Sequence, residues 1–90
     1  MSQKGRTPDE RFLIQLYKVA HEQGDPYLAI DYRGVAASIG QKESAVKNII
    51  KLLAQANFIK KVDDTMILLT SHGCDFVLDE LGDVSNSRRA

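Results

Sequence analysis

The sequence predicts one α+β domain: three helices, then a β-hairpin, then a closing helix. Three features carry that reading. Apolar residues between 12 and 20 recur with the 3.6-residue period of a helix, behind a capping signal. Val46, Ile49, Ile50 and Leu53 form a second, narrower stripe. Two short apolar runs, Phe58-Ile59-Lys60-Lys61-Val62 and Met66-Ile67-Leu68-Leu69-Thr70, flank the polar Asp63-Asp64-Thr65 and read as paired strands. A chain of 90 residues with 43 % apolar content builds one core and has no room for a second. Residues 7–82 are assigned to the domain, and the patternless 1–6 and 83–90 to flexible tails.

Each element has its own local signal. Thr7-Pro8-Asp9-Glu10 places a hydroxyl at the cap, a proline at the first helical position and a glutamate three residues after the cap. Phe12, Leu13, Leu16, Tyr17, Val19 and Ala20 then face inward, and Arg11, Gln15, Lys18 and Glu22 stay outside. Gly24 is expected to end this helix, with Asp25-Pro26 beyond it. Tyr27-Leu28-Ala29-Ile30 is short, apolar and bounded by turn residues, so it reads as a short strand or an extended linker. Asp31 caps a second helix running to Ile39, with Val35, Ala36 and Ile39 inward. Gly34 weakens that helix by ~1 kcal/mol relative to alanine, and Gly40 suits the left-handed backbone of a tight interhelical turn. The third helix, near 43–56, turns Ser44, Lys47, Asn48, Lys51 and Gln55 outward, and Asn57 suits a left-handed cap. The hairpin turn lacks glycine, which leaves its type open. Thr70 or Ser71 caps the last helix, which carries Phe76, Val77 and Leu81 and stops at Gly82.

This order of elements resembles bacterial winged helix-turn-helix regulators of the MarR-like and PadR-like kind. The resemblance rests on residues 30–40, with the turn Ala36-Ala37-Ser38-Ile39-Gly40, and on Ser44-Ala45-Val46-Lys47-Asn48-Ile49-Ile50-Lys51-Leu52-Leu53. It continues through Ala56-Asn57-Phe58-Ile59 and closes on Leu69-Thr70-Ser71-His72-Gly73, covering about residues 8–81. In that superfamily these segments are the second helix, the recognition helix, and the two ends of the β-hairpin wing. Two departures stand out. Gln41 occupies a position after the turn that is often apolar, and Lys42 or Gln41 replaces the usual serine or threonine cap of the recognition helix.

The resemblance implies a DNA-binding transcriptional regulator whose third helix enters the major groove. The net charge of the chain is zero, which by itself does not favour nucleic acid. Its distribution does: residues 42–61 hold five lysines and one acid, whereas 62–84 hold six acids and no lysine or arginine. Ser44, Lys47, Asn48 and Lys51 offer hydroxyl, amide and ammonium donors at helical spacing, with Lys42 at the start of the same helix. Arg33, near the start of the second helix, is positioned for a phosphate. Lys60 and Lys61 point to opposite faces of their strand, so at most one faces DNA in a given pose. Any amphipathic helix has a polar face, commonly filled by lysine, so the stripe alone does not name DNA. Asp63 and Asp64 at the hairpin tip oppose insertion of the wing between phosphates. Arg88-Arg89 is a further non-specific phosphate contact, or plain tail.

Other classes find little support. No apolar stretch approaches the ~20 residues of a membrane span, and the start lacks a signal-peptide run, so a cytoplasmic protein is expected. The single cysteine, Cys74, has no internal disulfide partner. His72 and Cys74 lack a second ligand pair at metal spacing, and Asp75, Asp79 and Glu80 read as a solvated face. No enzyme and no cofactor is expected. One protomer reads too short a DNA site, so the resemblance implies a homodimer, with Phe12, Tyr17, Phe76 and Leu81 of the first and last helices as its surface. The competing reading is an adaptor module that meets a protein partner through the acidic hairpin tip and the last helix.

Overall fold

A computed structural model describes residues 7–81 of the chain. Thr7 opens the first helix reciprocally: its hydroxyl accepts from Glu10 N–H at 3.3 Å, while Glu10 Oε1 accepts from Thr7 N–H at 3.1 Å. The helix α1, Pro8–Glu22, buries Phe12, Leu13, Ile14, Leu16 and Ala20. It ends two residues before Gly24, which takes φ +108° and turns the chain away. Asp25 then forms a turn, its carboxylate accepting from Tyr27 N–H at 2.9 Å and its carbonyl from Leu28 N–H at 3.0 Å. That turn keeps Tyr27 and Leu28 out of the expected strand and exposed, so the strand β1 shrinks to Ile30–Asp31.

Asp31 caps α2, Tyr32–Ser38, by accepting from Arg33 N–H at 2.9 Å. Gly40 (φ +73°) closes the turn into α3, Glu43–Gln55, whose start at Lys42 has no side-chain cap. Val46, Ile49, Ile50 and Leu53 are buried along α3 in a single stripe. Asn57 at φ +69° ends the helix and lets Phe58 N–H reach back to Leu53 C=O at 2.9 Å.

The strands β2, Ile59–Lys61, and β3, Met66–Leu69, pair antiparallel, with Ile59 opposite Leu69 and Lys61 opposite Ile67. The sheet is three-stranded rather than a two-stranded hairpin. β1 adds to the free edge of β3 in the order β1-β3-β2, with Ile30 opposite Ile67. Both of these residues are buried, so the pairing brings two apolar side chains onto the core face. In the glycine-free turn, the Asp63 carboxylate accepts from Thr65 and Met66 N–H, each at 2.9 Å.

Thr70 caps the last helix, α4, Ser71–Leu81, and ties it to the end of α3. Its hydroxyl accepts from Gly73 N–H at 3.0 Å and donates to Asn57 C=O at 2.7 Å. Gly73 rests directly on the Phe58 carbonyl: a Cβ at this position would lie 2.1 Å from that oxygen. The resulting core joins all four helices and the inner sheet face, and among the described residues it contains no buried polar or charged side chain. No described helix is long and apolar enough to cross a membrane.

Two glycines in helices therefore respond oppositely to alanine. Gly73→Ala forces two helix-anchoring backbone segments apart and is expected to cost ~1–3 kcal/mol or more in urea unfolding. Gly34→Ala adds a methyl group in open space within α2 and is expected to stabilise by about 0.5–1 kcal/mol. Equal effects at the two positions would contradict this packing.

Candidate nucleic-acid interface

The outward face of α3 carries Ser44, Lys47, Asn48, Lys51 and Gln55, all exposed. At about 100° per residue, Lys47 lies on the shoulder turned toward the hairpin, and Lys51, about 40° from Lys47 and about 20° from Ser44, lies between that shoulder and the crown. Ser44, Asn48 and Gln55 crown the helix, and the far shoulder is apolar, with Leu52 51 % exposed. Leu52, three residues after the buried Ile49, flanks the stripe on the helix and carries its apolar surface out into solvent.

Between α3 and the hairpin lies an open cleft of about 760 Å³. Lys47 and Lys51 reach it from α3 and Lys61 from β2, over a floor that includes Ile50 and the buried Tyr32. Strand alternation decides which lysine of the pair takes part. Lys61 shares a sheet face with the buried Ile59, two residues before it, and so turns toward α3; Lys60, opposite Leu68, faces away. Two acids, Glu43 and Asp64, stand in the same cleft. Three ammonium groups against two carboxylates leave a modest positive excess.

The remaining cations are placed differently. Arg33 is exposed, but its guanidinium grips Asp31 in a fork, Nε to Oδ1 at 3.1 Å and Nη2 to Oδ2 at 2.8 Å. The Arg33 hydrogen bonds, from the side chain first and then the backbone, hold the Asp31 carboxyl at about 2, below the usual carboxylate range. The pair cancels the charge expected to meet phosphate at this helix start. Lys42 stands exposed at the α3 N-cap, outside the cleft lining.

The acidic tip divides into two roles. The Asp63 carboxyl is lowered chiefly by the backbone N–H groups of Thr65 and Met66, so this acid closes the turn. Asp64 is the tip acid that lines the cleft. Cys74 is buried, and the exposed His72 stacks on Phe58 at 4.9 Å, on a different side of α4. The described residues hold no group of three or more potential metal ligands. Phe12 is 0 % exposed and contributes nothing to a dimer surface, contrary to expectation, because the inward arc of α1 is wide enough to enclose it. Tyr17, Phe76 and Leu81 are half-buried against the core. Gly82, Arg88-Arg89 and both tails lie outside the described residues. No protein-family model, curated protein or solved structure matches the chain significantly.

The Arg33 clamp is open to direct titration. With its folded pKa depressed, Asp31 contributes stability that is complete above the ordinary carboxylate pKa and is lost as pH falls toward about 2. Arg33→Gln should raise the Asp31 pKa toward the ordinary range, though not fully, because the backbone N–H of residue 33 remains a donor. Carbon-detected NMR titration of the Asp31 carboxyl reads the shift, and an unchanged value in the variant would remove Arg33 as its cause.

Proposed function

We propose that this chain is a cytoplasmic DNA-binding transcriptional regulator of the winged helix-turn-helix type, with α3 as the recognition helix and the β2–β3 hairpin as the wing. The observation that carries this reading is the convergence of Lys47 and Lys51 from α3 with Lys61 from the hairpin on one cleft. A helix in the major groove brings its flanking shoulder against the phosphates, where ammonium groups release counterions. Ser44 and Asn48, on the crown, then face base edges, and the Asn48 amide has the paired donor and acceptor that read adenine. Lys42 adds charge at the helix start. Lys60 faces away from this surface, and Arg33 reaches phosphate only by leaving Asp31.

Reading two half-sites requires a homodimer. With Phe12 enclosed, the apolar area for it comes from Tyr17 and Leu81 of α1 and α4 and from the exposed Tyr27 and Leu28 between α1 and β1. The adaptor alternative draws its support from the acids of α4, which lie apart from the lysine cleft.

Electrophoretic shifts of mixed genomic duplexes at graded salt test the assignment. Lys47→Ala, Lys51→Ala and Lys61→Ala should each weaken binding and make the slope of log K against log salt shallower by about 0.9 for every phosphate left without its ammonium partner. Lys60→Ala should leave that slope nearly unchanged, and all four should unfold within ~0.5 kcal/mol of the parent. Asn48→Ala should relax sequence preference at a cost of ~1–3 kcal/mol. Asp64→Lys, which spares the Asp63 turn, should tighten binding. A protein that ignores DNA even at low salt ends the proposal.

The dimer is tested separately by sedimentation velocity at micromolar concentration, with and without duplex. Association should weaken in Leu81→Ala, and a monomer under both conditions would leave the protein without a means to span two half-sites.

A further inference from the structure

A second face of the molecule carries chemistry that DNA binding does not use. His72, Asp75, Phe76 and Asp79 fall at i, i+3, i+4 and i+7 on α4 and so form one stripe along it. Phe58, half-buried ahead of β2, packs under the stripe, 5.0 Å from the Phe76 ring and 4.9 Å from the His72 ring, stacked on both. These five residues line a shallow groove of about 480 Å³. Its floor is aromatic and its rim is acidic. Asp75 and Asp79 are exposed, and among the described residues neither forms an ion pair.

We infer that this groove docks an arginine-bearing segment of a partner protein. The faces of aromatic rings attract cations, and a guanidinium adds a planar surface that stacks on them. An arginine laid over Phe76, with Phe58 stacked beneath that ring, directs its N–H groups outward in its own plane. There Asp75 and Asp79, one helical turn apart, accept them as charge-assisted hydrogen bonds. Lysine matches the charge but neither the plane nor the fork. Charge complementarity also selects against other occupants. The acidic rim repels nucleic acid and anionic lipid, and a two-fold contact between copies through this stripe would set carboxylates against carboxylates. Leu81, on the proposed dimer surface, lies about 140° around α4 from Phe76, so both contacts fit on one helix. The inference stands apart from DNA binding, since no lysine of the cleft lines this groove.

The test uses the full chain and two labelled probes, a short peptide of alternating glycine and arginine and its glycine–lysine counterpart, read by anisotropy and by ring-proton NMR. The arginine peptide should bind and shift the ring resonances of Phe58, His72 and Phe76, and the lysine peptide should bind roughly threefold to tenfold more weakly. Phe76→Leu should lower arginine-peptide affinity about threefold or more. Asp75→Asn combined with Asp79→Asn alters exposed groups only and should weaken it about tenfold with thermal unfolding unchanged. Unmoved ring resonances would overturn the inference. So would equal affinity for both peptides with indifference to Phe76→Leu, which marks diffuse charge attraction. Self-association abolished by Phe76→Leu would instead assign the groove to a second copy. Because Lys47 and Lys51 variants leave the groove intact, failure of DNA binding and failure of peptide docking are read independently.

Discussion

The fold depends most on one close approach, where the backbone of Gly73 rests on the carbonyl of Phe58. A β-carbon there would sit 2.1 Å from the oxygen, so the position excludes every side chain. Around this approach, Thr70 joins three segments through one hydroxyl, receiving from Gly73 and donating to Asn57, while its own N–H donates to Phe58 C=O at 3.1 Å. Asn57 enters the left-handed region at the same place. The end of α3, the start of β2, the end of β3 and the start of α4 therefore meet within a few residues. Small displacements here change the angle between α3 and the hairpin, because both leave from this joint.

That angle sets the cleft. Lys47 and Lys51 are fixed by the helical stripe that buries Val46, Ile50 and Leu53, and Lys61 is fixed by a strand that buries Ile59. Neither element alone brings the three lysines together. At the far end, Tyr32 N–H donates to Thr65 C=O at 3.0 Å and pins the hairpin turn to α2. The hairpin is thus held at its base by Thr70 and Gly73 and near its tip by Tyr32. On the DNA-binding reading, this double attachment preorganises the phosphate-facing surface, so little ordering entropy opposes the encounter.

Much of this architecture is legible in the sequence, and the failures share a physical origin. The stripes of α1 and α3, the Asp31 and Thr70 caps and the left-handed Gly40 and Asn57 depend on neighbours within one turn, which residue type and period report well. The α1–β1 segment is harder: Tyr27 and Leu28 have strand-like composition, yet the Asp25 side chain takes the amide hydrogen that a strand would use. The third strand depends on a pairing across 37 positions, Ile30 with Ile67, for which local pattern gives no register. Arg33 and Asp63 show the limit for charged residues. By residue type each reads as a free charge facing solvent, and each is committed to a local hydrogen-bonded structure instead. The choice between Lys60 and Lys61, by contrast, follows from strand parity once Ile59 is known to be inside.

The zero net charge acquires a physical sense from this arrangement. The charge is unevenly spread: lysines outnumber acids in the cleft between α3 and the hairpin, and the aromatic stripe on α4 carries acids and no lysine or arginine. A neutral total suppresses long-range attraction to nucleic acid, so the proposed DNA contact must rest on short-range geometry and on the number of phosphates engaged. Three lysines give a salt slope of roughly −2.7, or about a 40-fold loss of affinity for a fourfold rise in salt. Two protomers double the slope and raise the loss to roughly 2,000-fold. Glu43 and Asp64 within the cleft weaken each phosphate contact without altering how many there are. A single protomer with so few contacts has little affinity to set against the entropy of association, whereas a pair held in fixed register meets that cost once for both cleft surfaces. Dimerisation is therefore a condition on which the DNA-binding reading depends, imposed by the charge distribution as much as by the length of the site.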